Sequence, residues 1–212
     1  MRITCICFDI GGVLVRVRLH LQEILTEIAA KTKYTHLLHK ASFLKLSDLP
    51  LIEDFESGKC SEEDYLHALS TFLQIDTQVA LECHMQVLAQ PFQGTLELVK
   101  ELKKHSIYTS CLSNTNKLHW GKLSNPLLYP AVSWLDKQVV SFECGFMKPH
   151  REIYERFEVL TGFKGAQILY FEDNERNVAA ARELGWRVQQ IDPSRETVPQ
   201  IHEALRQYQL LA

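Results

Sequence analysis

The sequence contains no long apolar run, no polybasic cluster and no Cys-x-x-Cys pair. A formal net charge of -3 leaves no electrostatic footprint for nucleic acid, and without a basic cluster there is no pull toward an anionic membrane surface. The apolar stretch that begins at Ile3 is stopped by Asp9 after six residues, too short for a signal core and far too short to span a bilayer. The six cysteines (Cys5, Cys7, Cys60, Cys83, Cys111 and Cys144) are scattered. A disulfide framework belongs to shorter, secreted chains, so the cytoplasm is the expected compartment. There is no internal repeat, low-complexity tract or linker. What remains is an ordinary globular composition, 46% hydrophobic and 23% charged, in 212 residues. That length suits one large domain, or a core with a sizeable insertion.

The chain is organised around Phe8-Asp9-Ile10-Gly11-Gly12-Val13. The preceding Ile3 to Phe8 has strand length and no Gly or Pro, so it reads as a strand buried on both faces, as inside a parallel sheet. Asp9 falls where that strand ends, and the two glycines let the backbone turn and approach a ligand. An acid there is costly to bury unless it is paired or bound to a metal. A strand-ending Asp that merely caps a turn is the plainer alternative.

From residue 16 to 90 only helical patterns are legible: Leu19 to Ala30, His36 to Leu46, Leu51 to Glu56, and a helix opened by the capping-box form Ser61-Glu62-Glu63-Asp64. A further helix is expected over Thr77 to Ala89. This section reads as an all-helical insertion, and His36, His39, His67 and His84 within it as surface or packing histidines. After Gly94 strands and helices alternate. Strands are expected at Ile107 to Leu112, Gln138 to Phe142, Gln167 to Phe171 and Trp186 to Ile191. Helices are expected at Thr95 to His105, Arg151 to Leu160 with Pro149 in the first turn, Asn177 to Leu184, and Val198 to Leu210. The alternation predicts an α/β fold, a Rossmann-like parallel sheet with helices on both faces.

Four strands end in chemically useful groups: Asp9, then Ser113 with Asn114, then Lys148 a little downstream, then Glu172 with Asp173. Each alone has a plain explanation as a loop, a helix start or a solvated pair. In a parallel sheet, however, all these ends point the same way and can converge on one crevice.

This set resembles the haloacid dehalogenase (HAD) superfamily in four motifs, Phe8-Asp9-Ile10-Gly11-Gly12-Val13, Leu112-Ser113-Asn114, Lys148-Pro149, and Phe171-Glu172-Asp173-Asn174 with Asn177 following. The resemblance covers essentially the whole chain. It implies a core of residues 1–15 and 91–212 and a helical cap of residues 16–90. Within the superfamily, Ser113 to His119 and Met147-Lys148-Pro149 are most similar to bacterial phosphatases acting on α-D-glucose 1-phosphate. The implied activity is a Mg²⁺-dependent phosphatase for a small phosphorylated metabolite, with Asp9 forming an aspartyl-phosphate that water then hydrolyses. The implied metal ligands are Asp9, Asp173 and the Gly11 carbonyl, with Glu172 as a further ligand or just behind them. Lys148, Ser113, Asn114, Gly11 and Gly12 would meet phosphate, Asn177 would orient the network, and Glu56 would face substrate from the cap. Arg16 and Arg18, at the cap hinge, could meet substrate or simply lie on the surface. No nucleic acid or membrane partner is implied, and the chain is expected as a monomer or homodimer.

Position 11 departs from the pattern. Most HAD phosphatases carry a second Asp there, which protonates the leaving oxygen; here it is Gly11. A sugar 1-phosphate leaves as an anomeric hydroxyl, more acidic than an ordinary alcohol, and depends less on that proton. Glu53, Asp54 or Glu56 could also supply it. The rival readings are a metal-independent dehalogenase-type hydrolase and a non-catalytic binding or regulatory protein of the same fold.

Overall fold

The structure, a computed structural model, describes residues 2–211. Its centre is strand β1 (Cys5–Phe8), whose four residues are all buried. Alternate side chains enter opposite layers, as the two-residue period of a strand requires. Ile6 and Phe8 pack with the apolar faces of helices α6 (Thr95–Lys104) and α12 (Thr197–Gln207), through Leu98, Leu102, Ile201 and Leu205. Cys5 and Cys7 face the other layer, against Ile153, Tyr154 and Phe157 of α10 (Arg151–Thr161) and Val178 of α11 (Glu175–Glu183).

The remaining elements follow in chain order. Strand β2 (Val15–Val17) leads to helices α1 (Gln22–Lys31), α2 (Leu37–Ala41), α3 (Ile52–Glu56), α4 (Glu62–Leu73) and α5 (Thr77–Met85), and β3 (Leu88–Pro91) returns the chain. After α6 come β4 (Tyr108–Ser113), the helices α7 (Lys117–Leu123) and α8 (Pro130–Ser133), β5 (Lys137–Val140) and the single turn α9 (Ser141–Cys144). Strands β6 (Ile168–Glu172) and β7 (Arg187–Gln190) alternate with α10, α11 and α12. Five strands form one sheet in the order β5-β4-β1-β6-β7, every neighbouring pair parallel. This is the α/β Rossmann-like sheet expected from the alternation. Among the described residues, no helix is long and apolar enough to cross a membrane.

The five helices α1 to α5 bury their own apolar cluster, built on Ile24, Leu25, Ile28, Phe55, Tyr65 and Leu69. Ser61 caps α4 as its spacing predicts, accepting the Asp64 amide at 3.1 Å and donating to the Asp64 carboxylate at 2.6 Å. Such a cap stabilises a helix by about 1 kcal/mol.

Several expectations are corrected. Residues 16–90 are not wholly helical, because β2 and β3 pair antiparallel and carry both chain crossings into the helical section. Three residues are too few to show a period, and Pro91 lies at the end of a two-stranded ribbon where its missing donor is tolerated. For the same reason the helix expected to reach Ala89 stops at Met85. The strand expected through Phe142 stops at Val140, where the chain turns into α9. Pro149 lies outside α10, whose cap is His150. The helices α7 and α8 were not legible in the sequence.

Candidate active site

The sheet brings the four strand-end groups to one rim. Phe8 is in register with Cys111 of β4 and with Phe171 of β6, so Asp9 emerges between the ends that carry Ser113 and Glu172. Lys148 arrives from the loop before α10. Its ammonium donates to Glu172 Oε2 at 2.8 Å and to the Tyr170 hydroxyl at 2.9 Å, and pairs with Asp9 Oδ2 at 3.0 Å. An ammonium has three protons, and these are its three acceptors. The side chains of Lys148 and Glu172 are almost completely buried.

Asn114 fixes where that lysine stands. Its Nδ2 donates to the Lys148 carbonyl at 2.9 Å and its Oδ1 accepts the Lys148 amide at 2.8 Å. The Asn114 side chain, expected at phosphate, therefore secures the lysine's main chain. Glu172 is also fully engaged: Oε1 accepts the Asn174 amide at 2.9 Å, while Oε2 accepts both Lys148 and the Tyr170 hydroxyl, the latter at 2.5 Å. Tyr170 escaped the sequence reading, although it lies two residues before Glu172 in one strand, a spacing that puts both on one face. Asn177 is buried in the first turn of α11, and its carbonyl accepts the Tyr154 hydroxyl at 3.1 Å. Ser113 is the last residue of β4 and is buried.

Carboxylate oxygens of Asp9, Glu172 and Asp173 lie within 4.8 Å of one another. Burial would raise Glu172, but the Lys148 ammonium and its hydrogen bonds hold it down to about 2. Burial raises Asp9, Lys148 pulls it back, and Glu172 and Asp173 push it up again, with a net upward direction. Burial, and then the Glu172 charge, push Asp173 up to about 7. Lys148 goes the other way: burial disfavours its charge, yet Asp9 and Glu172 raise it above the ordinary lysine value. Three clustered carboxyl groups thus share one cation.

The glycines divide the work at the turn. Gly12 adopts φ 75°, and a Cβ there would overlap the Asp173 carboxylate. Gly11 needs no unusual φ, but a Cβ would stand 3.3 Å from Val17 Cγ1. A side chain at position 11 would therefore require Val17 of β2 to yield by a few tenths of an ångström.

Opposite this rim, the end of α3 comes down from the helical section. Ser141 Oγ donates to the Glu56 carbonyl at 2.5 Å and accepts the Thr115 amide at 2.9 Å. A cavity of about 220 Å³ lies beside it, between Glu53, Ser57 and Lys59 on one wall and Gly145, Met147 and His150 on the other. Further along the same interface, His84 of α5 stacks on His119 of α7 with centroids 4.0 Å apart. Tyr65, Asn116 and the His84 carbonyl take up the ring nitrogens at 2.8 to 3.3 Å. His84 is thus a packing histidine, as expected, and its partner was not foreseen. Arg16 pairs with Glu196 and lies over the Phe92 ring, and Arg18 pairs with Glu27 at 3.4 Å.

Comparison with known proteins agrees with the fold. A family model described as haloacid dehalogenase-like hydrolase matches residues 3–185. A HAD-like family hydrolase from Porphyromonas gingivalis shares the fold at TM-score 0.77 and 24% identity, over 97% of this chain and 99% of that one. A HAD family enzyme from Bacteroides thetaiotaomicron, in complex with magnesium and inorganic phosphate, gives TM-score 0.73 and 20% identity over 91% and 96%. L-2-haloacid dehalogenase from Xanthobacter autotrophicus gives 0.62 and 16% over 89% and 77%.

Proposed function

Because this chain belongs to the haloacid dehalogenase-like hydrolase family, we propose that it is a Mg²⁺-dependent phosphatase acting on a small phosphomonoester. The observation that carries this reading is the charge count at the rim. Asp9, Glu172 and Asp173 converge, and the single Lys148 ammonium offsets one of their three charges. A hard divalent cation with oxygen ligands fits the remaining excess. Asp9, Asp173 and the Gly11 carbonyl would hold it, while Glu172, with both oxygens engaged, acts through Lys148. When bound, Mg²⁺ screens the repulsion between the Asp9 carboxylate and a phosphate dianion.

Asp9 attacks phosphorus, and water hydrolyses the resulting acyl phosphate. Lys148 favours the ionised form of Asp9 and aims it, and Asn114 keeps Lys148 in place. The Ser113 hydroxyl and nearby backbone amides donate to the phosphoryl oxygens as charge develops there. The helices between residues 16 and 90 act as a cap that opens to admit substrate and closes to exclude water. The cavity beside Glu53, Lys59 and His150 offers charged groups to the hydroxyls of a leaving group. That fits a hexose 1-phosphate of the kind taken by the glucose 1-phosphate phosphatases the motifs resemble.

The test is phosphate release from a panel of sugar phosphates and an aryl phosphate. Activity should require Mg²⁺, vanish with EDTA and vanish in Asp9→Asn. Hydrolysis indifferent to EDTA would instead favour the dehalogenase-type reading, which the Glu172 and Asp173 carboxyls disfavour. No release from any ester would leave a binding protein.

A further inference from the structure

A phosphate ester departs as an alkoxide unless a proton reaches its oxygen in the transition state. Position 11, a glycine, offers none, and a Cβ there would already press on Val17 Cγ1 at 3.3 Å. The donor has to come from another element. Glu56, the last residue of α3, is held over the rim by two contacts. Its carbonyl accepts the Ser141 hydroxyl, which also receives the Thr115 amide from the loop beyond Ser113. Two residues on, Gly58 at φ 70° lies so close to the Phe142 carbonyl that no side chain would fit.

The Glu56 side chain is half-buried. It feels the charge of Lys148, the same ammonium that pairs with Asp9. Besides Lys148, Glu53 of its own helix acts on it, and Tyr65 of α4 lies close enough to be raised by the Glu56 charge. Burial, opposed by Lys148 and reinforced by Glu53, pushes the carboxyl up to about 7. It can therefore carry a proton near neutrality.

We infer that Glu56 is the general acid-base of this site, delivering its proton from the helical section instead of from the first-strand loop. The inference rests on the phosphatase reading. In the first step an Asp9 oxygen bonds to phosphorus and the bond from phosphorus to the ester oxygen breaks. The departing electron pair takes the Glu56 proton, and a neutral alcohol leaves. In the second step a water oxygen bonds to phosphorus while Glu56, now a carboxylate, takes a proton from that water. The Asp9 oxygen leaves with its electrons, giving inorganic phosphate and the starting residues.

The experiment compares Glu56→Gln with the wild type on two esters in Mg²⁺. One is p-nitrophenyl phosphate, whose phenolate departs without help; the other is glycerol 1-phosphate, whose alkoxide does not. Since general acid catalysis is worth about 10²–10⁴, kcat/KM for the alkyl ester should fall at least about tenfold further than for the aryl ester. The wild type's loss of alkyl-ester turnover at alkaline pH should be missing from the variant. Equal losses on both esters would make Glu56 a binding group and overturn the inference, leaving the phosphatase reading intact. A wild type inactive on both esters would overturn that reading and this inference with it. If Glu56→Gln does not fold, Glu56→Asp carries the same comparison: a selective loss on the alkyl ester supports the role, and an equal loss overturns it.

Discussion

Gly12 and Asp173 meet with no room for a side chain between them. Gly12 sits at φ 75°, and a Cβ on it would overlap the Asp173 carboxylate. Gly12→Ala should cost about 1–3 kcal/mol in backbone strain and push Asp173 away from Asp9. The expected result is a folded protein whose Mg²⁺ requirement for phosphate release rises about tenfold or more, as for other changes that disturb a metal ligand's support. A Mg²⁺ titration of activity checks it, and an unchanged requirement would remove Asp173 from the proposed metal ligands.

Lys148 is the counter-charge for a buried Glu172. Lys148→Met should abolish turnover and destabilise the fold by about 3–5 kcal/mol, because the carboxylate is left unpaired in the interior. Adding Glu172→Gln removes that charge and should recover much of the stability with no recovery of activity. Urea unfolding of both variants in chelator reads the difference. Equal stabilities would show that Glu172 takes its support from Tyr170 and Asn174 rather than from the lysine.

The stacked pair His84 and His119 joins the helical section to the core and should respond to acid. Burial, and then His119, lowers His84, and burial lowers His119 to about 4. The neighbours facing them are Tyr65, Asn116 and Lys122. A base depressed in the fold stays neutral there while the unfolded chain gains a proton below the ordinary histidine value of 6.5. The stabilisation is therefore complete above that pH and is lost as pH falls toward about 4, at up to about 1.4 kcal/mol per unit for each proton. Glu56 and Asp173, both raised to about 7, act in the opposite sense over much of this range, so the contrast must be made with a variant. His119→Gln should be less stable than wild type at pH 7.5, with the gap narrowing as pH falls toward 5. Thermal unfolding across pH checks this, and a gap that stays constant would mean that the ring pair is not what titrates.

Much of this molecule can be read from its residues in order. The apolar run before Asp9, the Gly12 turn and the alternation of strand and helix follow from local chemistry, and they set the sheet and its rim. Asp9, Ser113, Lys148 and Glu172 were legible because each ends or follows a strand, and parallel strands share one end. Val17, Ser141 and His119 were not, since their importance lies in what they touch. Val17 is an ordinary apolar residue until it crowds Gly11, and Ser141 is an ordinary hydroxyl until it bridges Thr115 and Glu56.

Sequence alone determined the alternation of strand and helix and the kinds of group that follow the core strands, because period and turn chemistry act within a few residues. Only the tertiary structure decided how those groups divide their bonds. It gave Asn114 to the Lys148 backbone, both Glu172 oxygens to the lysine, tyrosine and amide around it, and the Glu56 loop to Ser141. Those choices depend on distances between residues far apart in the chain, fixed by packing that no local pattern records.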